Sequence, residues 1–475
     1  MNDLADKSVL VIGLGKSGLA AAHFLQKAGA RVTAVDSSSS ESLEKQADQL
    51  RAIGVEVQLR AEMAPAGRFD LGVLSPGVPP TLPLVKQVRE SGLHVISEME
   101  LGYQHSKCLN IAITGTNGKT TTTELVERVL SQNHKRTVAA GNIGTPLTAV
   151  AEQTKELDLV TLEVSSFQLE AIQYFRPSIA VLMNITPDHL DRYSGMEEYA
   201  RAKARIFENQ QVFDWAIVQS EALAQLQAIG VKIPSKIITF SAVDQSADIF
   251  LDRGLIISQL PNWNGPLLNM EECRLMGPHN AENMMATLAV ARVLRLPLEE
   301  VQKSLKSYTP APHRCEVVAA IKGVRYVNDS KATNPDALDK ALQTMPSGKT
   351  SEKNVFLIAG GRDKGFEYHS VGPQLSKRVK HAFLLGETRE KLRASWSLFT
   401  PCTLADSLLE AVTEAANQAV SGDIVLLSPA CSSFDMFQNY QHRGDVFRQS
   451  VEQVERTMAG SKTVPRPISG GDGNE

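Results

Sequence analysis

The stretch "NIAITGTNGKTTTTELVERVL", residues 110–130, decides how the middle of the chain folds. "NIAIT" reads as a buried strand, "GTNGK" as a glycine loop and "TTTTELVERVL" as a helix, the context that a phosphate-binding loop requires. The standard GxxxxGKT spacing would place glycine at position 113, which is Ile113, so the loop is a shorter GTNGKT form. The physics survives that change: Gly115 and Gly118 let backbone N–H groups approach phosphates, Lys119 reaches the terminal ones, and the Thr120 hydroxyl can ligate Mg²⁺. A Gly/Thr-rich helix cap is the plainer alternative.

Outward from this loop, short apolar runs recur between amphipathic stretches: "SVLVIG", "RVTAVD", "LGVLSPG", "DLVTLE", "IAVLMN", "NVFLIAGG", "HAFLLG" and "DIVLLSP". That rhythm predicts an α/β fold built from βαβ units. With 475 residues, 43% of them apolar, the chain is too long for one core. A first domain is expected over 1–97, a central one over 98–309, a third over 310–460 after the Pro-rich linker at 307–314, and a disordered tail over 461–475. The 49 basic and 53 acidic residues are mixed in short clusters, which gives no basic stripe for nucleic acid. Five cysteines, widely spaced and never CxxC, predict reduced thiols and a cytoplasmic address. No apolar run has the length of a membrane span.

Other strand ends carry chemistry. "VLVIGLGKSG" places GxGxxG at Gly13, Gly15 and Gly18 after a strand, with Asp36 at the tip of the next strand, which is either a diphosphate cradle or a tight turn of any doubly wound sheet. Ser75 and Gly77 could close over the same pocket. Glu163 and His189 end predicted strands and could ligate a metal, although a strand-end carboxylate is usually solvated and a lone histidine usually lies hydrogen-bonded at the surface. Lys203 by itself reads as a solvated helix lysine. Asn280 and Asn283, three apart at a helix start, suit either a nucleotide base or simple capping. Asp329, Lys331 and Thr333, then Lys364, then Ser432 and Ser433 sit at further strand tips and suggest a second anionic ligand.

Together, "GLGKSG", "SPG", "ITGTNGKTTT", "GNIG", "EVSSFQLE", "TPDHLDRY", "GPHNAEN", "PHR", "NDSKATNP", "GGRDKG" and "SPACSSFDMFQNYQHRGDVF" resemble the Mur ligase family over essentially the whole chain except the tail. The last motif resembles the D-glutamate-adding branch more than its relatives, and the "DNPR" signature of the diaminopimelate-adding branch is absent. Ser432, Met436 and Lys16 depart from the expected pattern at the edges of ligand contacts. The resemblance implies a three-domain architecture: a Rossmann-like N-terminal domain, a central P-loop ATPase-like domain and a Rossmann-like C-terminal domain. It implies a monomer acting on small molecules, UDP-N-acetylmuramoyl-L-alanine and D-glutamate, with ATP and Mg²⁺ as cofactors. UDP would meet Lys16, Ser17, Asp36 and Ser37, with Ser75 and Gly77 nearby, and the muramoyl-alanine portion would meet Asn142 and Ser165. ATP would lie on Gly115, Thr116, Asn117, Gly118, Lys119, Thr120 and Thr121, with adenine near Asn280 and Asn283, ribose near Asp329 and Arg314 by the phosphates. Thr120 and Glu163 would hold one Mg²⁺. His189 would hold a second, shared with Glu163 through Lys203 carrying CO₂ as a carbamate. D-Glutamate would meet Thr333, Lys364, Ser433 and the Phe434 backbone, with Tyr440 alongside.

Amide formation from a carboxylate in water is uphill, so the implied chemistry activates the alanyl carboxylate as an acyl phosphate. Two anions must then approach, and Mg²⁺, Lys119, Lys331 and Arg314 are the expected neutralising charges. The base that frees the incoming amine is not assigned, His189 serving only if it holds no metal. Excluding water from the acyl phosphate predicts domain closure, with a hinge near 307–312. A nicotinamide-dependent oxidoreductase would explain GLGKSG and Asp36 but not the GTNGKT loop. A non-catalytic ATP-gated module would need no second ligand.

Overall fold

The computed structural model describes residues 4–79, 81–190, 192–275, 277–309, 312–346 and 353–460. The expected tail, 461–475, and part of the expected linker and hinge, residues 310 and 311, lie outside them. Residues 1–309 and 310–475 form two compact units.

In the first unit, β1 (Ser8–Ile12), β2 (Arg31–Asp36), β3 (Glu56–Leu59), β4 (Leu71–Leu74) and β5 (Val95–Ser97) make an all-parallel sheet of order β3-β2-β1-β4-β5. Val9 to Ile12 are buried without a break because helices cover both faces, as parallel sheets require. The chain order reverses between β1 and β4, so the glycine loop after β1 lies at the switch point where such sheets bind ligands. Gly18 belongs to the Lys16–Lys27 helix, and a Cβ there would lie 1.7 Å from the Gly13 carbonyl oxygen, so only glycine allows this helix to start so close to the strand.

The second sheet of this unit runs β14-β13-β12-β11-β10-β9-β6-β8-β7. Its strands are β6 (Leu109–Thr114), β7 (Thr137–Gly141), β8 (Leu159–Glu163), β9 (Ile179–Leu182), β10 (Trp215–Gln219), β11 (Lys236–Ser241), β12 (Ile249–Asp252), β13 (Leu255–Ser258) and β14 (Gly265–Asn269). Pairing is parallel from β7 to β12 and antiparallel in the β12-β13-β14 ribbon. The Lys119–Gln132 and Pro278–Val293 helices share one core with the sheet, through Leu125, Val129, Met284 and Leu288. The Glu98–His105 helix joins the two sheets of the unit: Leu101 packs into the first core, Met99 and Tyr103 into the second. Its Glu100 carboxylate accepts the N–H groups of Gln173, Tyr174 and Phe175 at 2.9 Å each, a charge-assisted cap on that loop.

The second unit holds β15 (Glu316–Ile321), β16 (Val324–Asn328), β17 (Val355–Gly360), β18 (Val379–Leu385), β19 (Cys402–Leu404) and β20 (Ile424–Leu427), ordered β15-β16-β20-β17-β18-β19. The β15-β16 hairpin is antiparallel and the rest parallel. The α/β class expected from the sequence is therefore observed in all three sheets.

Candidate active site

Gly118 precedes the Lys119–Gln132 helix at φ +84°, and a Cβ there would meet Asn283 Oδ1 at 2.4 Å, so both backbone and space demand glycine. Asn184, just past β9, clamps the loop from beside it. Its Oδ1 accepts from Thr116 N (3.1 Å) and Asn117 N (2.8 Å), and its Nδ2 donates to Asn117 O (3.1 Å). The Thr116 hydroxyl donates to Thr186 O at 3.1 Å and accepts from Thr186 N at 3.0 Å. The loop is thus held to the β9 end before any phosphate is considered.

Two lysines converge on one loop carbonyl. Lys119 Nζ donates to Gly115 O and Thr116 O at 2.9 Å, and Lys203 Nζ donates to Gly115 O at 2.8 Å. Lys203 is 1% exposed, with its Nζ 4.5 Å over the Tyr199 ring. This corrects its reading as a solvated helix lysine. The Met196–Ala204 helix turns Lys203 inward to the loop. Burial, and then the Lys119 charge, push its pKa well below the ordinary value, against the pull of Asp188, which favours the neutral, nucleophilic amine. Thr120 is half-buried and Thr121 buried in the helix's first turn.

Glu163, at the end of β8, is also buried rather than solvated, at 3% exposure. Its Oε1 accepts from Asn142 Nδ2 at 2.8 Å, while Oε2 is buried with no hydrogen-bond partner. A buried carboxylate oxygen left unpaired is costly, and a cation is what such an oxygen fits. Ser165 caps the Ser166–Leu169 turn in a reciprocal box with Gln168. His189 has φ +56°, its N–H donates to Asp188 Oδ1 at 2.9 Å, and its ring meets Phe167 edge-on at 4.8 Å. Its side chain is one-third exposed, with Nε2 3.7 Å from Asp188 Oδ2. Among the described residues no three His, Cys, Asp or Glu side chains converge as a metal centre. The Thr120, Glu163, His189 and Lys203 set contains only two of those types, and the feature of it that suits a cation is the buried, unpaired Oε2 of Glu163.

Asn283 Nδ2 donates to Asn280 Oδ1 at 3.1 Å, and Asn283 Oδ1 accepts from Thr122 Oγ1 at 3.1 Å. Asn283 is therefore committed to its neighbours and orients Asn280. In the first sheet, Asp36 spends both oxygens on the backbone, accepting from Leu14 N (2.7 Å) and Ser38 N (2.8 Å), so it shapes the glycine loop with its remaining lone pairs free for a ligand. Lys16, Ser37 and Gly77 are exposed and Ser17 half-buried, while buried Ser75 sits against Gly13.

In the second unit, Asp329 is buried. Its Oδ1 accepts from Cys315 N (3.2 Å) and its Oδ2 from Ser428 Oγ (2.9 Å), and desolvation lifts its pKa to about 7. Lys331 lies with Nζ 4.0 Å over Tyr440, Lys364 with Nζ 5.9 Å from the Phe366 ring centre, and Arg314 follows His313 at φ +67°. Thr333 is half-buried, Ser433 is 2% and Phe434 65% exposed. The sequence reading missed Arg443. It is 1% exposed and donates to Ser330 Oγ, Ser330 O, Cys431 O and Ser432 O at 2.8–3.3 Å, joining the "NDSKATNP" and "SPACSSF" tips, and burial lowers its pKa to about 10. A basic residue in a polar helix stretch carries no signal of burial. Asn184 was missed too, although its position at the end of a buried strand could have marked it.

Three family models match: "Mur ligase MurD-like, N-terminal domain" over 7–97, "Mur ligase middle domain" over 113–291 and "Mur ligase, glutamate ligase domain" over 313–431. The UDP-N-acetylmuramoylalanine--D-glutamate ligase of Koribacter versatilis is 41% identical, covering 95% of this chain and 98% of its own. The chain belongs to the Mur ligase family. The Mur ligase of that same name from Geobacter metallireducens is 39% identical over 95% of this chain and 98% of its own. Among solved structures, a MurF ligase of Thermotoga maritima in complex with ADP aligns at TM-score 0.61 with 16% identity, covering 96% of this chain and all of its own. MurC of the same organism aligns at 0.57 with 18% identity, covering 96% and 100%. These neighbours share the three-domain Mur ligase fold.

Proposed function

We propose that this Mur ligase joins the amine of D-glutamate to the alanyl carboxylate of UDP-N-acetylmuramoyl-L-alanine, driven by ATP, for peptidoglycan precursor synthesis. The observation that carries the reading is the full-length likeness, at 41% identity, to a ligase so named. The loop geometry supports it.

In this reading the N–H groups of 115–121 and Lys119 receive the triphosphate, Asn280 the base and Asp329 the ribose, with Arg314 and Lys331 adding positive charge. The alanyl carboxylate attacks the γ-phosphorus, ADP leaves, and the D-glutamate amine displaces phosphate from the acyl phosphate. Lys119 leaves its loop carbonyls to follow the transferring charge, the form of catalysis that dominates phosphoryl transfer. Thr120, Glu163, His189 and carbamylated Lys203 would hold Mg²⁺, which neutralises the two approaching anions. In its neutral form the Lys203 amine can add CO₂ and release a proton, which leaves a metal-binding carbamate anion where a lysine would otherwise carry positive charge. Asn142 fixes Glu163 Oε1 so that Oε2 remains available. Lys16, Ser17, Ser37, Ser75 and Gly77 would bind UDP around the loop that Asp36 shapes, Ser165 would meet the muramoyl-alanine portion, and Thr333, Lys364, Ser433, Phe434 and Tyr440 would take D-glutamate. The reading includes a monomer with domains at 1–97, 98–309 and 310–460, and a cytoplasmic address in line with five free thiols.

The test is phosphate release from ATP with UDP-N-acetylmuramoyl-L-alanine and a panel of amino acids. Release that requires D-glutamate supports the reading. Release with another amino acid in its place, or with none, refutes it.

A further inference from the structure

Arg192 stands outside every role assigned above, yet it touches three parts of the first unit at once. Its Nη2 donates to Glu170 Oε2 at 2.7 Å, its Nη1 to Pro76 O at 3.3 Å, and its guanidinium lies 3.9 Å over the Phe167 ring. Pro76 is the centre of the Ser75–Gly77 turn. Phe167 is the ring against which His189 packs. We propose that Arg192 is a positioning residue that couples the Ser75–Gly77 turn to the orientation of His189. The inference rests on the ligase reading for its kinetic consequences.

His189 needs such support. A non-glycine residue at φ +56° persists only where its surroundings hold it. Its carbonyl accepts from Arg192 N at 3.0 Å and Tyr193 N at 3.1 Å, and Tyr193 Oη donates to Glu170 Oε1 at 2.6 Å. Glu170 directly follows the Ser166–Leu169 turn that carries Phe167, so Arg192 and Tyr193 bolt the His189 turn to the segment after Glu163. The Phe167 ring thus touches both the guanidinium, 3.9 Å from its centre, and the imidazole, which meets it edge-on at 4.8 Å.

Stability alone is a poor account of this arrangement. Arg192 is 14% exposed in its side chain, and its Nε is buried without a partner. Ion pairs in such surroundings gain little over apolar replacements. What the planar guanidinium offers that an apolar or ammonium group does not is two directed donors and a flat face used together. A ligand that shifts the Ser75–Gly77 turn moves Pro76 O, and through the rigid fork it moves the face on which Phe167 rests. The UDP-bearing substrate thereby reports its arrival to His189.

The experiment compares the full chain with Arg192→Met, Arg192→Lys and Phe167→Leu, using Arg201→Met as control because Arg201 is half-exposed and paired with Glu197 on the same side. The first readout is the His189 ring C–H NMR resonance, identified by its loss in His189→Ala. In the parent it shifts on adding UDP-N-acetylmuramoyl-L-alanine; in Arg192→Met the shift is lost, and in Arg201→Met it is retained. This readout does not need turnover, so an inactive parent would count against the ligase reading and leave the coupling still measurable. Kinetically, Arg192→Met lowers kcat by about 10- to 100-fold, the penalty for a slightly misplaced group, and raises KM for the UDP substrate with KM for ATP unchanged. Phe167→Leu reproduces the kcat loss without the KM rise, and Arg192→Lys falls between parent and Arg192→Met. A His189 resonance in Arg192→Met that still responds as in the parent overturns the proposal. So does an equal rise of KM for every substrate accompanied by a fall in melting temperature, the signature of a merely structural residue.

Discussion

Replacing Asp329 by asparagine should change how the second unit's stability depends on pH. In the unfolded chain this carboxyl titrates near its ordinary value of 3.8; in the fold, desolvation raises it to about 7. Between these values the folded chain keeps a proton that the unfolded chain has released, so stability falls as pH rises through that window and stays low above it. The difference corresponds to on the order of 4 kcal/mol lost by pH 8. Asparagine has nothing to titrate, keeps Oδ1 as acceptor for Cys315 N–H, and can donate Nδ2 to the Ser428 oxygen. Trp396, fully buried, is the tryptophan of this unit, so replacing Trp215 and Trp263 by phenylalanine isolates its fluorescence as the reporter. Urea unfolding at intervals from pH 4 to 8 should give a falling profile for the parent and a flatter one for Asp329→Asn, with the variant gaining relative to the parent as pH rises. Parallel profiles would refute the assignment of a desolvated, neutral-range carboxyl. A costly ionised group kept at this tip is what a ligand-binding role would explain.

Asn184→Ala removes three hydrogen bonds from the phosphate loop and should destabilise it by about 2–3 kcal/mol, read as a weaker Kd for ATP in calorimetry with little change for D-glutamate. Gly118→Ala forces a Cβ against Asn283 Oδ1 at positive φ, and the helix start should be strained by about 1–2 kcal/mol plus the clash, read as lost ATP turnover and a lower melting temperature. Lys203→Met replaces a desolvated amine by an apolar chain of similar length. The melting temperature should hold or rise while phosphate release disappears, and bicarbonate should not restore it.

The parallel strands were legible because burial on both faces leaves continuous apolar runs such as "VLVI" and "VFLIAG", and the loops after them because glycine and lysine mark phosphate chemistry. The β12-β13-β14 ribbon was not, since "IFLD", "LIIS" and "GPLLN" are only four or five residues long and the last carries glycine and proline, and antiparallel pairing supplies what their local sequence does not. The inward turn of Lys203 and the burial of Glu163 were hidden for a different reason. Each depends on elements distant in sequence, the Met196–Ala204 helix reaching Gly115 and the Asn142 amide reaching across from β7. Arg443 is the extreme case, a charge whose partners are all carbonyl and hydroxyl oxygens of loops 11 to 113 residues away.

The account's central claim is that ATP is spent on activating the alanyl carboxylate. The direct measurement uses UDP-N-acetylmuramoyl-L-alanine labelled with oxygen-18 in that carboxylate and mass analysis of the phosphate released in the presence of D-glutamate. Acyl phosphate chemistry predicts that each phosphate carries one labelled oxygen. Phosphate free of label, formed alongside the amide, would contradict it.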